Sequence, residues 1–144
     1  MDKKNTLLVV VLLALVSIYV VFFTDWFKPR VIKMFYTTRP IEHFRARQDL
    51  PYILFGLEGS YRLTEIKVVS LDDLQKNAGA EPLWHLISDS NSVPIRMFTY
   101  GEYIHGMRAR YKGTRAQGLV TNEVYRLFVA AGSAKGQIDF KIKE

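Results

Sequence analysis

The chain has 144 residues, of which 20 are Lys or Arg and 14 are Asp or Glu, giving a formal charge of +6 and a pI near 9.6. It has no cysteine, which rules out disulfides, cysteine metal sites and a thiol nucleophile without specifying a compartment. Setting aside Asp2, Lys3, Lys4, Asp25, Lys28 and Arg30 leaves 16 basic and 12 acidic residues, a mildly basic balance that argues against nucleic acid and for anionic head groups or an acidic protein surface.

The first element is the stretch from Leu7 to Phe23, LLVVVLLALVSIYVVFF, set in a charge-free interval between Lys4 and Asp25. At the helical rise, about 20 uncharged residues cover roughly 30 Å, the thickness of a bilayer's hydrocarbon core. This predicts one membrane-spanning helix, and no later stretch is long and apolar enough to cross again. A short tail (1–6) precedes the helix with its aromatic exit (7–27), then come a brief juxtamembrane linker (28–30) and one domain of ordinary size (31–144). A cleaved signal peptide is the competing reading, but no A-x-A-like site follows the apolar run. Phe22, Phe23, Trp26 and Phe27 gather where the helix would leave the lipid, as interfacial aromatic belts do. Leu7 and Leu13 belong to the bulky apolar surface, with Ser17 and Tyr19 as its hydroxyl-bearing members. Since the span lacks G-x-x-x-G, close homodimerisation is not favoured, and the surface suits the grooves of a larger membrane protein.

Orientation is argued from both flanks. Lys28, Arg30, Lys33 and Arg39 outnumber Lys3 and Lys4, which by count favours a cytoplasmic domain. Long domains translocate largely regardless of charge, however, and a short lysine-bearing tail before a first apolar segment has the form of an uncleaved signal anchor. The expectation is a cytoplasmic N-terminus and an extracytoplasmic, periplasmic domain, with the opposite orientation left open.

Beyond Pro29, the β-branched and aromatic run Val31–Thr37 predicts a strand almost directly above the membrane. Ile41 to Arg47 reads as a surface connection or short edge strand. Residues 51–57 and 61–70 read as two strands of a hairpin turning at Glu58-Gly59-Ser60. Ser70 is the expected N-cap of a helix of one or two turns over 71–78, with Asp72 and Asp73 favoured by its dipole and Gly79 ending it. Strands follow at 83–88 and 95–100, and 107–117 reads as a strand end passing into an exposed loop. Val124 to Ala131 is a strand with Tyr125, Leu127 and Val129 on one face; Gly132–Gly136 turns it into a last strand whose apolar residues are Ile138, Phe140 and Ile142. Seven or so short strands with no helix for parallel crossovers imply a mainly β fold: a transmembrane helix followed by an antiparallel β-sandwich.

One segment carries a family resemblance. Leu119 to Tyr125, LVTNEVY, is similar to the fibronectin type III and immunoglobulin-like pattern in which a leucine precedes a strand-starting tyrosine by six positions. Thr121 and Asn122 stand where that pattern has proline and glycine. The resemblance implies a tyrosine corner, with the Tyr125 ring in the core and its hydroxyl bonded to the loop backbone, and a fold without an activity of its own. Trp84, Leu119, Tyr125, Leu127 and Val129 are the expected core members.

Chemistry-bearing patterns are sparse. His43, His85 and His105 lack metal-binding spacing, Asp72 and Asp73 point to different helix faces, and no phosphate loop or nucleophile elbow occurs, so neither catalysis nor a cofactor is expected. The densest basic run is Arg108, Arg110, Lys112 and Arg115, with Tyr111 among them. It reads either as a solvated strand edge that discourages aggregation or as a patch that meets acidic protein or lipid. The functional expectation is a non-catalytic, single-pass accessory subunit that docks on and stabilises a larger membrane complex; small subunits of respiratory and photosynthetic assemblies have this layout. The alternative is an independent envelope module that binds a peptide, a sugar or an acidic surface.

Overall fold

The computed structural model describes residues 2–23, 28–38, 51–88 and 92–142. The segment 41–47 expected as a connection or edge strand lies outside the described residues, as do Trp26 and Phe27 of the aromatic exit. Helix α1 runs Lys3–Phe23, so it begins before the apolar run and takes in both lysines of the tail. None of its residues is buried against the rest of the chain. It is long and apolar enough to cross a membrane, and it is apolar all round, as a lipid-facing span must be.

The remainder is mainly sheet. Strands β1 (Met34–Thr37), β2 (Leu54–Arg62), β3 (Glu65–Ser70), β4 (Trp84–Ser88), β5 (Pro94–Thr99), β6 (Met107–Ala109), β7 (Val124–Ala131) and β8 (Ala134–Lys141) pair into two antiparallel sheets. One has the order β1-β2-β5 and the other β6-β4-β3-β7-β8. The arrangement is sandwich-like. Immunoglobulin-type sandwiches place strands A, B, E and D in one sheet and C, F and G, with C′ added in some, in the other. Strands β1, β2 and β5 run in the order A, B and E with no D strand beside β5 among the described residues, β4, β3, β7 and β8 in the order C′, C, F and G, and β6 lies outside β4.

The hairpin expected at Glu58-Gly59-Ser60 is absent, and these residues lie inside β2. The pairing of β2 with β5 shifts register between Gly56 and Tyr61, so the glycine-bearing stretch serves as an irregularity within a strand instead of a turn. The chain then changes sheets through Leu63, which is fully buried. The reason is burial. Phe55 and Leu57 of β2 and Ile66 and Val68 of β3 all need cover, and placing them in facing sheets lets one layer close over the other.

Rings from both sheets meet in the core. Phe55 lies 5.5 Å from Phe98 within its own sheet and 5.0 Å from Phe140 across the interface, where Tyr125 stacks on Phe140 at 5.7 Å. Alternation on β7 is as the pattern predicts: Tyr125, Leu127 and Val129 are buried. On the outer face Arg126 pairs with Asp139 through two hydrogen bonds of 2.6 and 2.8 Å, which hold the Asp139 carboxyl below its usual range. The turn after β7 is tighter than expected. Ala131 pairs with Ala134, leaving Gly132 and Ser133 as a two-residue loop with Gly132 at φ 64°, the conformation that a first-position glycine supplies.

Two boundaries also differ from expectation. Helix α2 is Leu71–Lys76, ending at Asn77, whose carboxamide oxygen accepts from the Gly79 amide. Ser70 occupies the N-cap position but its side chain makes no capping bond, which leaves the acids Asp72 and Asp73 as the favourable charges of the first turn. The strand expected from Val31 begins at Met34, because Val31 first bridges β8 in parallel at Lys135 before the chain joins β2.

Candidate functional site: an aromatic and cationic groove at a sheet edge

Strand β4 would be an open edge were it not covered by β6 and the segment after it. Leu86, Ile87 and Ser88 pair with Ala109, Arg108 and Met107. Further along, the Arg110 amide donates to the His85 carbonyl and the Gln117 amide to the Leu83 carbonyl, each at 3.0 Å. The basic run is therefore a strap fastened to the sheet edge by its own backbone. Tyr100 adds a pin: its hydroxyl donates to the Gln117 carbonyl at 2.8 Å while its ring meets Trp84 edge-on at 5.3 Å. Burial pushes the Tyr100 phenol well above its ordinary pKa, and nearby Tyr125 adds to the rise.

Between strap and sheet lies a groove of about 700 Å³. Trp84, Ile104 and Met107 line it and are buried, whereas Tyr103 and Tyr111 also line it and stand 79% and 62% exposed. Arg108 and Arg115 line it on the strap side, and Glu81 and Glu102 line it as well. Of the five residues singled out in the basic run, the structure thus brings Arg108, Tyr111 and Arg115 to the groove; Arg110 and Lys112 are exposed but do not line it. Tyr103 and Glu102 were not anticipated as site residues. Glu102 accepts a 2.8 Å bond from the Thr99 amide, so its carboxylate is engaged at the base of the loop.

His85 on β4 meets Glu65 on β3 at 2.7 Å, a pairing that a separation of 20 residues hides from sequence inspection. His105 is exposed, and His43 lies outside the described residues. Among the described residues no three His, Asp or Glu side chains are grouped so as to hold a metal ion.

Tyr125 sits 1% exposed at the start of β7, where its hydroxyl accepts from the Val120 amide at 2.8 Å and contacts the Glu123 carboxylate at 2.9 Å. Asn122, in the position where the resembled pattern has glycine, takes φ 68°, a left-handed conformation that asparagine tolerates best among residues with a side chain. Trp84, Leu127 and Val129 are core residues, and Leu119 is half-buried against them. On α1, Leu7, Leu13, Tyr19, Phe22 and Phe23 are all exposed; Tyr19 stacks on Phe23 at 5.4 Å and the Ser17 hydroxyl donates to the Leu13 carbonyl at 2.8 Å. That bond satisfies the hydroxyl inside an otherwise apolar span.

Scanned against known protein families, curated proteins and solved structures, the chain matches none of them.

Proposed function

We propose that this chain is a single-pass, membrane-anchored accessory subunit without catalytic activity, which docks on and stabilises a larger integral membrane complex. The helix beds among the partner's helices. The β domain, on the extracytoplasmic side, lays its groove against an acidic part of the partner's outer surface. The observation that carries this reading is the company gathered at one sheet edge: two exposed tyrosines and two arginines around a floor of tryptophan and methionine. Aromatic residues, methionine and arginine are the types enriched in protein interfaces, because they combine large contact area with directed hydrogen bonding. The polar pairs His85–Glu65 and Arg126–Asp139 and the engaged Glu102 fit a scaffold whose ionisable groups serve structure.

A second reading draws support from the groove's size. At about 700 Å³ it falls within the range of small-ligand clefts, which suits an independent envelope module that binds a peptide or sugar. Mild detergent extraction followed by native sizing and mass measurement separates the two. Migration with larger membrane polypeptides in fixed stoichiometry is expected; a monomer would favour the module. Protease added to intact spheroplasts should digest the β domain, and complete protection until lysis would reverse the orientation.

A further inference from the structure

We infer that the anchor-side end of the β domain is a docking surface for anionic lipid head groups, formed by Arg30, Arg62 and Lys135 around the exposed Val31. The inference rests on reading α1 as a membrane span, and it concerns a surface separate from the groove.

The strand pairing decides which residues share that end. Just after the anchor, the Lys135 amide donates to the Arg30 carbonyl and the Ile32 amide to the Lys135 carbonyl, at 3.0 and 2.9 Å. The entering chain is thereby stitched to the β7–β8 turn at Gly132-Ser133. The Thr64 amide donates to the Ala130 carbonyl, and the Gly132 amide contacts the Thr64 hydroxyl, so the β2–β3 crossover reaches the same end and brings Arg62 with it. Arg62 also donates to the Ser92 carbonyl at 3.3 Å, and among the described residues no carboxylate pairs with it. Arg30, Arg62 and Lys135 are all exposed, and Val31, which follows Arg30 and bridges Lys135, is 69% exposed.

Near the anchor side Glu58 is paired with Lys33, and Glu65, bonded to His85, lines a hollow with Val31, Lys67 and Lys135. At the opposite end, about 24 Å away along β7, Asp72, Asp73 and Glu123 stand among Lys76 and Lys141, with Lys112 and Arg115 on the strap beside them. The basic end is also the tethered one. From Phe23, where α1 ends, to Arg30 there are seven residue steps, so Arg30 lies within about 25 Å of the helix end. A cationic surface held that close to a bilayer meets phosphate groups at high effective concentration, and attraction to an anionic leaflet falls off over a Debye length. The cations would set the domain upright and Val31 would enter the interface.

The absence of cysteine permits single-site labelling of the full chain. A donor fluorophore is placed through Ser133→Cys at the anchor-side turn or Gln75→Cys on α2, and energy transfer to a head-group-labelled acceptor is measured in phosphatidylcholine vesicles with and without phosphatidylglycerol. Transfer from position 133 should rise when phosphatidylglycerol is included and return to the phosphatidylcholine value at high salt, while transfer from position 75 should not rise. Combining Arg30→Gln, Arg62→Gln and Lys135→Gln should abolish the lipid dependence without changing the circular dichroism. A position-133 signal indifferent to phosphatidylglycerol, or a response retained by the triple variant, overturns the surface. A chain that does not float with the vesicles overturns the anchor and this surface together, whereas one that floats without a lipid response overturns the surface alone.

Discussion

Ile32 crosses β8 so closely over Gly136 that a β-carbon at position 136 would overlap the Ile32 carbonyl oxygen. The obstacle is backbone, fixed by the bonds that Lys135 makes on either side, to Arg30 and Ile32. Gly136→Ala should therefore destabilise the domain by about 1–3 kcal/mol, the usual range for overpacking where the neighbour cannot yield. Urea unfolding of the full chain in detergent, followed by tryptophan fluorescence, gives the value. A change below the scatter of surface substitutions would mean that the entering chain is not stitched as described.

The corner at the start of β7 is tested by a pair of substitutions. Tyr125→Phe keeps the buried ring but removes the acceptor of the Val120 amide, and should cost about 1 kcal/mol or somewhat more. Asn122 holds a left-handed conformation, so Asn122→Ala should cost about 1 kcal/mol, whereas glycine there should be close to neutral. Equal effects of alanine and glycine at 122 would contradict the backbone conformation.

Alkaline pH should weaken the fold. Tyr100 and Tyr125 both have phenols raised above the ordinary value, by burial first; for Tyr125 the Val120 bond opposes the rise and Glu123 adds to it. A raised phenol means that above about pH 10 the unfolded chain has lost protons that the native chain still holds. The contribution of these two phenols to stability is then constant below about pH 10 and falls as pH climbs past it. Urea midpoints taken on both sides of that pH should show the fall in the parent chain and a shallower one in Tyr100→Phe. A midpoint that rises with alkalinity would reverse the sign of the argument.

The two halves of the proposed docking are separable. Neutralising Arg108, Arg110, Lys112 and Arg115 together should weaken association with the partner complex at moderate salt, leaving insertion and thermal unfolding unchanged, since exposed charges govern encounter and register more than retention. Tyr103→Ala with Tyr111→Ala should weaken association at any salt, because these rings supply apolar contact. Replacing α1 by an unrelated span should release the protein. Retention of the complex after the helix exchange would assign the binding to the β domain alone.

Elements whose signal is local were legible in the order of residues alone. An uncharged run of bilayer length is long and apolar enough to cross a membrane, and the period-2 alternation of Tyr125, Leu127 and Val129 states which face of β7 is inside. The resemblance of Leu119 to Tyr125 to the fibronectin type III and immunoglobulin-like pattern likewise implied a buried ring with its hydroxyl on the loop. Tertiary structure decided everything that depended on partners distant in sequence. Glu58-Gly59-Ser60 has turn-forming residues, yet burial of Phe55, Leu57, Ile66 and Val68 in facing sheets made it part of a strand and moved the crossover to Leu63. His85 meets Glu65 only because β3 and β4 pair, and Tyr103 joins Arg108, Tyr111 and Arg115 only because the strap is tied to the edge of β4. Arg62 and Lys135 come to the anchor side for the same reason. Local propensity acts over a few residues, whereas which strands become neighbours is set by closing one apolar core with every backbone amide paired, a condition on the whole chain at once.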